Sequence, residues 1–478
     1  MTTSPTLPAV LEIPGAAARI REHNRRTGHR LAVLDDDPTG SQAVHGVSVV
    51  TVLEPSEYAA GLAAAGDTCF ILTNTRALDE GHAVDLNRTV ASDLYTLAAG
   101  SGATVDIMSR SDSTLRGHVH AEIEAIAAEH LTVSGRPVDG VLFCPAMIEA
   151  GRFTVDDVHF AVVDGVPTPV GDTEFARDKT FGYTSSNLRD FIAERSGGTI
   201  AATDVRSLSL DDIRIGGPER VAEILTEVSG LGWVVVNCAS YADLEVVALG
   251  RQLAQDAGKT FLTRSGPSFV RALAGIEAKD VLGPADIAID AARTRHGLIA
   301  VGSHVGLTTR QVHEARQRGG LVEVELQVPA LLDPSVAATH IDETAARIVA
   351  ALARSDVLIC TSRDLVAVDN DPEASLDIAR TVSTALVTVV ERARAARPAW
   401  VIAKGGITSH DLAVRGLGIR RATVAGQFLP GQISLFTPDE APADVVGCPY
   451  VVFPGNVGGV DALAQVLDRL RAATEGVQ

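Results

Sequence analysis

Three consecutive carboxylates, Asp35, Asp36 and Asp37, follow the apolar run Leu31–Leu34 and lead into Pro38-Thr39-Gly40. Carboxylates at a strand end can take a proton from a hydroxyl, hold a hydroxylated ligand or attack phosphorus. A second group lies in MSRSDSTLRGH, residues 108–118. Here Arg110, Asp112 and Arg116 stand between a strand ending at Met108 and a helix expected to begin near Leu115, capped by Ser113 or Thr114. Two guanidinium forks suit a carboxylate or a phosphate, and Asp112 is placed to accept a proton. A third group is rich in glycine. VIAKGGITSHDLA sets Gly405, Gly406 and Thr408 after a strand, and VVFPGNVGGVDALAQVL sets Gly455 and Asn456 after another. With Ser303 in VGSHVG, these turns suggest three strand ends converging on a polyphosphate. Glycine lets backbone approach phosphate closely, and a helix N-terminus favours negative charge.

The elements that must position these residues are strands and helices in alternation. Strand candidates in the first half are Leu31–Leu34, Val47–Val52, Cys69–Leu72, Val105–Met108, Val141–Phe143, Trp233–Val236 and Phe261–Thr263. In the second half they are Leu298–Val301, Val322–Leu326, Val357–Cys360, Trp400–Ala403 and Tyr450–Phe453. Several are continuously apolar, as in a parallel sheet buried on both faces. Between them lie helical patterns such as LRGHVHAEIEAIAAEH, with Leu115, Val119, Ile123 and Ile126 on one face. The expected fold class is α/β, with two domains, each a largely parallel sheet flanked by helices. In such sheets ligands bind at the carboxyl ends of the strands. Residues 144–190, rich in Gly, Pro and Asp, read as a loop with a small β-hairpin, an insertion that lines or covers a site. The rhythm changes again at DIAIDAARTRHG, residues 286–297, which sets the domains at 1–287 and 296–478.

Composition narrows the function classes. A chain of 478 residues is too long for one ordinary core. A net charge of -19 and no long basic run argue against nucleic acid as the main partner. No apolar stretch approaches the ~20 residues of a membrane helix, and the N-terminus lacks the pattern of a signal peptide. Cys69, Cys144, Cys238, Cys360 and Cys448 are far apart, with no C-x-x-C, and read as buried reduced thiols. The expectation is a cytoplasmic protein acting on a small molecule, with no membrane partner; a homo-oligomer stays open.

Two patterns compete for the first motif. Asp35, Asp37 and Thr39 spell D-x-D-x-T, which is similar to the opening of a haloacid-dehalogenase-type phosphatase, and Thr73 after CFIL fits its second motif. The later elements of that pattern come in the wrong order: the pair Asp156–Asp157 precedes Lys179. The match of AGKT, residues 257–260, to a P-loop is a chance one, since Leu253 replaces the first glycine and the motif precedes its strand.

The ordered combination resembles the four-carbon acid sugar kinase family: D-D-x-T-G at Asp36–Gly40, D-S-T-L-R-G at Asp112–Gly117, P-A-x-x-x-A-G-R-x-T at Pro145–Thr154, T-E-F-A-R-D at Thr173–Asp178, G-G-x-T at Gly405–Thr408 and G-N-x-G at Gly455–Gly458. The likeness covers most of the chain. Pro38, Ser41 and Arg110 depart from the usual residues, Ile407 stands where an acid is usual, and Phe453-Pro454 replaces Lys-Ser.

The resemblance implies ATP-dependent phosphorylation of a hydroxyl on a four-carbon sugar acid, with Mg²⁺. It also implies an N-terminal substrate domain, a C-terminal ATP domain and an active site in the cleft between them. On that reading Asp112 is the expected base, with Asp37 as the second candidate. Asp36 and Asp37 hold the substrate hydroxyls or help to place Mg²⁺, and Arg110 and Arg116 grip the carboxylate. Ser303, Gly405, Gly406, Ile407, Thr408, Gly455 and Asn456 cradle ATP. A sugar-acid sensor that keeps the fold without turnover is the non-enzymatic alternative.

Overall fold

Continuously apolar strands become central strands of parallel sheets. The computed structural model describes residues 7–37, 40–41, 43–303, 305–362 and 372–476, with side chains from 377 in the last span. Pro38 and Thr39 of the first motif and His304 of VGSHVG lie outside the described residues. The chain divides into two units, Met1–Ala278 and Lys279–Gln478. Leu282 and Ile287, assigned by sequence to the first domain, pack in the core of the second unit. There the Leu282 amide donates to the Gln427 carbonyl at 2.8 Å.

In the first unit eight parallel strands run in the order Ser48–Val50, Thr68–Leu72, His29–Asp35, Thr104–Arg110, Phe261–Ser265, Gly140–Cys144, Gly232–Val236 and Arg206–Leu208. The register matters more than the order. Asp35 lies opposite both Leu72 and Arg110, and Ser265 lies opposite both Arg110 and Cys144. The ends of five strands therefore form one row at the carboxyl edge, where a parallel sheet presents its loops to a ligand. Helices Glu80–Ser101 and Val119–Ser134 bury Val90, Leu94, Ile123 and Ile126 against Ala32, Ile71 and Ile107 of the sheet. Each such side chain contributes about 1.5–3 kcal/mol on burial. A further helix group, Ala16–Thr27, Tyr241–Asp256 and Pro267–Ala274, buries Ile20, Leu244, Val247 and Phe269.

The insertion is a three-stranded antiparallel sheet, Arg152–Val155, Val158–Val163 and Val166–Pro169, one strand more than the hairpin expected. Thr154 and Cys238 exchange two backbone hydrogen bonds of 2.9 Å, which pin it to the end of the Gly232–Val236 strand.

The second unit has strand order Leu321–Leu326, Asp356–Thr361, Leu298–Val301, Val401–Lys404, Tyr450–Phe453, Ile433–Glu440 and Arg421–Leu429. The first five are parallel and the last two antiparallel. Val301 lies opposite Lys404, and Lys404 opposite Phe453. Helices Gly306–Gln317 and Ala462–Glu475 pack on this sheet through Val312, Leu463, Val466 and Leu470. The five cysteines are buried, and no disulfide joins any of them among the described residues. No helix among the described residues is long and apolar enough to cross a membrane.

Candidate functional site

In the first unit the site is built on the row of strand ends. Asp35 ends its strand fully buried, and its backbone carbonyl accepts from the Thr73 amide at 3.0 Å and the Thr73 hydroxyl at 2.9 Å. Its carboxylate accepts from Arg110 Nη1 at 2.8 Å and from the Asp37 amide at 3.2 Å. A Cβ on Gly40 would stand 1.9 Å from Asp35 Oδ2, so main chain covers that carboxylate. Among the described residues Asp35 is thus enclosed, whereas the in-line attack of a phosphatase nucleophile needs an open approach.

Asp36 is 2% exposed, and both its carboxylate oxygens are buried without a hydrogen-bond partner among the described residues. Arg110 Nη1 lies 3.8 Å away and Arg76 Nη2 3.9 Å. Burial raises Asp36 to about 7 and Asp35 to about 6, against the pull of these cations. Arg76 follows the strand Thr68–Leu72. Its guanidinium pairs with Asp37 and reaches Asp112 Oδ1 at 3.6 Å. Asp112 also accepts from the Thr114 hydroxyl and from Arg116 Nε at 2.7 Å. Arg76 and Arg116 hold its carboxyl down at about 2 despite burial. The rim is formed by Asp37 (28% exposed), Arg76 (18%) and Arg116 (30%).

Residues 112–117 are a turn, not the start of a helix. Leu115 has φ 70° and Gly117 φ 123°, and the helix Val119–Ser134 begins after His118 with no side-chain cap. Ser113 and Thr114 therefore do not cap it. The insertion clamps this turn instead. His159 Nε2 hydrogen-bonds the Ser113 carbonyl at 2.9 Å, and the Tyr183 hydroxyl donates to the Thr114 carbonyl at 2.8 Å. Phe175 lies under the guanidinium groups of both Arg116 and Arg152, at 5.6 and 5.7 Å. Arg116 Nη1 also reaches Asp178 at 3.7 Å. The motifs at 145–154 and 173–178 thus converge on the one at 112–117.

Beneath the cluster runs a buried network that sequence reading missed. Arg264 is fully buried in the strand Phe261–Ser265. Its Nη1 donates to Ser109 Oγ at 2.6 Å and pairs with Glu122, which also accepts from Thr75 Oγ1 at 2.5 Å. The signal was an arginine directly after the run Phe261–Thr263, a placement that costs too much in a buried strand without partners or a role. Arg76 was missed too, although it stands four residues past a strand adjacent to Asp35.

In the second unit the three glycine-bearing turns do meet. A Cβ on Gly302 would stand 2.1 Å from Thr408 Oγ1, and one on Gly455 would stand 2.9 Å from Ser303 Oγ. Thr308 Oγ1 donates to Ser303 Oγ at 3.2 Å and to the Gly455 carbonyl at 2.9 Å. Gly405, at φ 126°, makes the bend after Lys404 that only glycine tolerates well. Lys404 is fully buried and donates to the Pro454 and Gly455 carbonyls at 2.6 and 3.2 Å, with its amine 3.9 Å from the Phe453 ring centre. Burial lowers it to about 7. Ile407 is 78% exposed and touches none of this, so its side chain takes no part in the junction. Asn456 is exposed beside it. The crowding of main chain around Ser303, Thr408 and Gly455 fits a phosphate cradle. Among the described residues no group of three His, Cys, Asp or Glu side chains is placed to hold a metal ion.

Comparison with known proteins agrees with the two units. Residues 31–273 match the family described as Sugar-binding N-terminal domain, and residues 298–463 the family described as Nucleotide-binding C-terminal domain. A D-erythronate kinase of Heliobacterium modesticaldum is 25% identical over 313 residues, a match covering 64% of this chain and 64% of that protein. The match thus spans less than two thirds of that relative's length. Two crystal structures share the fold. One, from Salmonella typhimurium LT2 and carrying the provisional description of a tRNA synthase, has a TM-score of 0.67 at 15% identity, covering 91% of this chain and 98% of that one. The other, Haemophilus influenzae protein HI1011, has a TM-score of 0.62 at 18% identity, covering 92% and 100%.

Proposed function

Because the chain belongs to the four-carbon acid sugar kinase family, with a sugar-binding N-terminal and a nucleotide-binding C-terminal domain, we propose that it uses ATP to phosphorylate a hydroxyl of a four-carbon sugar acid or a related hydroxy acid. The observation that carries this reading is the cluster of Asp36, Asp37, Arg76, Asp112 and Arg116 at one sheet edge of the sugar-binding unit. It offers cations for a carboxylate and carboxylates for hydroxyls within one rim.

In this account Arg76 and Arg116 grip the acid's carboxylate. Arg110, committed to Asp35 at 2.8 Å, braces the carboxylate row from below. Asp112 is held ionised by Arg76 and Arg116, which suits an anchor for those two cations better than a base. Asp37, the carboxylate at the open rim, takes the proton of the attacking hydroxyl. That oxygen bonds to the γ-phosphorus, the bond from phosphorus to the β–γ bridging oxygen breaks, and ADP leaves. In the nucleotide-binding unit Ser303, Gly405, Gly406, Thr408, Gly455 and Asn456 hold the phosphates, Ile407 contributing main chain only. Mg²⁺ bound with the nucleotide would supply neutralisation of phosphate charge. Positioning and charge neutralisation are most of what phosphoryl transfer asks of a protein.

Ile407, where the family's acid is usual, favours a second reading, a sensor that binds a sugar acid without turnover. The test is ATP consumption with Mg²⁺ against a panel of four-carbon sugar acids, with phosphate release from phosphorylated acids as control. Turnover supports the kinase. Acid binding without ATP use supports the sensor, and phosphate release alone restores a phosphatase.

A further inference from the structure

Arg264 and Asp36 are complementary charges buried side by side that do not touch. Arg264 Nη2 and both oxygens of Asp36 are enclosed and lack a hydrogen-bond partner among the described residues. A single point, the place of a Cβ on Gly117, lies 3.0 Å from Arg264 Nη2 and 3.1 Å from Asp36 Oδ2, so the two atoms are at most about 6.1 Å apart. No ion pair joins them among the described residues, and a separation within that bound admits one oxygen that bonds to both. Leaving a buried guanidinium N–H and a buried carboxylate both unmet is costly, and a native fold rarely does so without a use for them.

The chemistry of an atom that bridges the two is constrained. It accepts from Arg264 and, with Asp36 ionised, donates to Asp36. A carboxylate oxygen cannot donate, and an ammonium cannot accept; a hydroxyl does both. Around them only particular atoms are committed, and Arg264 Nε, Arg110 Nε and Asp35 Oδ2 are likewise buried without a hydrogen-bond partner among the described residues. Arg264 Nη1 is held by Ser109 and Glu122, and Arg110 by Asp35. Gly117, with φ 123°, closes one side with main chain and no side chain.

We infer that Arg264 and Asp36 form the blind end of the sugar-acid pocket and together bind one substrate hydroxyl, a different one from the hydroxyl phosphorylated at the rim. This rests on the sugar-acid reading above. It makes Arg264 a specificity residue: an acid lacking that hydroxyl leaves two buried charges unpaired, the situation in which sites discriminate most strongly.

The test is calorimetric titration of the full-length protein, without nucleotide, with D-erythronate, 2,4-dihydroxybutanoate and 3,4-dihydroxybutanoate, repeated on Arg264→Lys. The unmodified protein binds one of the two deoxy acids weaker than D-erythronate by about ten-fold or more, and Arg264→Lys removes that difference. Equal binding of all three acids by the unmodified protein overturns the inference. So does an equal loss for all three in Arg264→Lys, the result expected of a structural arginine bridged by water. If Arg264→Lys fails to fold, Asp36→Asn takes its place with the same two outcomes, and equal binding of the three acids by the unmodified protein still overturns the inference. ATP turnover, measured separately, keeps the two readings apart. Hydroxyl-selective binding with no ATP use removes the kinase and leaves this inference standing; absence of binding by all three acids removes both.

Discussion

Lys404 Nζ donates to the Pro454 carbonyl at 2.6 Å, so the lysine that ends one strand ties down the turn that follows its neighbour. The amine is buried and lies at about 7, yet a neutral amine still donates two hydrogens, so the tie survives at alkaline pH. Lys404→Met removes the donor and leaves the Pro454 carbonyl unmet, at about 1–3 kcal/mol. The expected result is a KM for ATP raised about ten-fold with the KM for the acid unchanged. Steady-state kinetics against each substrate checks this.

The roles of the two rim carboxylates separate in kinetics. Asp37→Asn is expected to lower kcat by roughly 10²–10⁴-fold with little change in acid binding, as loss of a base does. Asp112→Asn loosens Arg76 and Arg116 and is expected chiefly to raise the KM for the acid. If Asp112→Asn takes the kcat loss and Asp37→Asn does not, the base is Asp112.

Much of this cluster was legible in the chain. Asp36, Asp37, Arg110 and Asp112 each stand within a few residues of an apolar run, and the strand ends that carry them fall in one row. Arg264 was hidden because the strand Phe261–Thr263 was ended one residue short of it, at the point where polarity returned. The helix near Leu115 was misplaced because its apolar spacing extends back through a turn whose left-handed Leu115 and Gly117 break it. The paired strands Arg421–Leu429 and Ile433–Glu440 escaped notice for a different reason. The first alternates buried and half-buried residues, as an antiparallel strand does, and so lacks the continuous apolar run of a central parallel strand.

The buried acids give a pH signature. Asp35 and Asp36 titrate near 6 and 7 in the fold against an ordinary 3.8. Their folded pKa values are raised, so their contribution to stability is full below about pH 4 and is lost as pH rises through 6 and 7. The sugar-binding unit is expected to lose urea resistance between pH 5 and pH 8 in the absence of substrate. Asp36→Asn should flatten that slope. Denaturation at the two pH values, with and without the substitution, checks both statements.

His159 acts in the opposite direction. Burial holds it at about 4, below the ordinary 6.5, and its neutral ring bridges Thr154 Oγ1 and the Ser113 carbonyl. Its contribution is present above pH 6.5 and fades as pH falls towards 4. His159→Ala releases the insertion from the 112–117 turn. The expected result is a loss of about 1–3 kcal/mol and a raised KM for the acid, with the KM for ATP unchanged. Thermal melts and kinetics read the two effects.

The measurement that bears most directly on the whole account is ADP release from ATP and Mg²⁺ in the presence of D-erythronate and its four-carbon relatives, run beside Asp37→Asn. The account predicts ADP release that depends on the acid, appears together with a phosphorylated acid and falls away in Asp37→Asn. ADP release indifferent to every acid in the panel, or acid-dependent release that Asp37→Asn leaves unchanged, would contradict it.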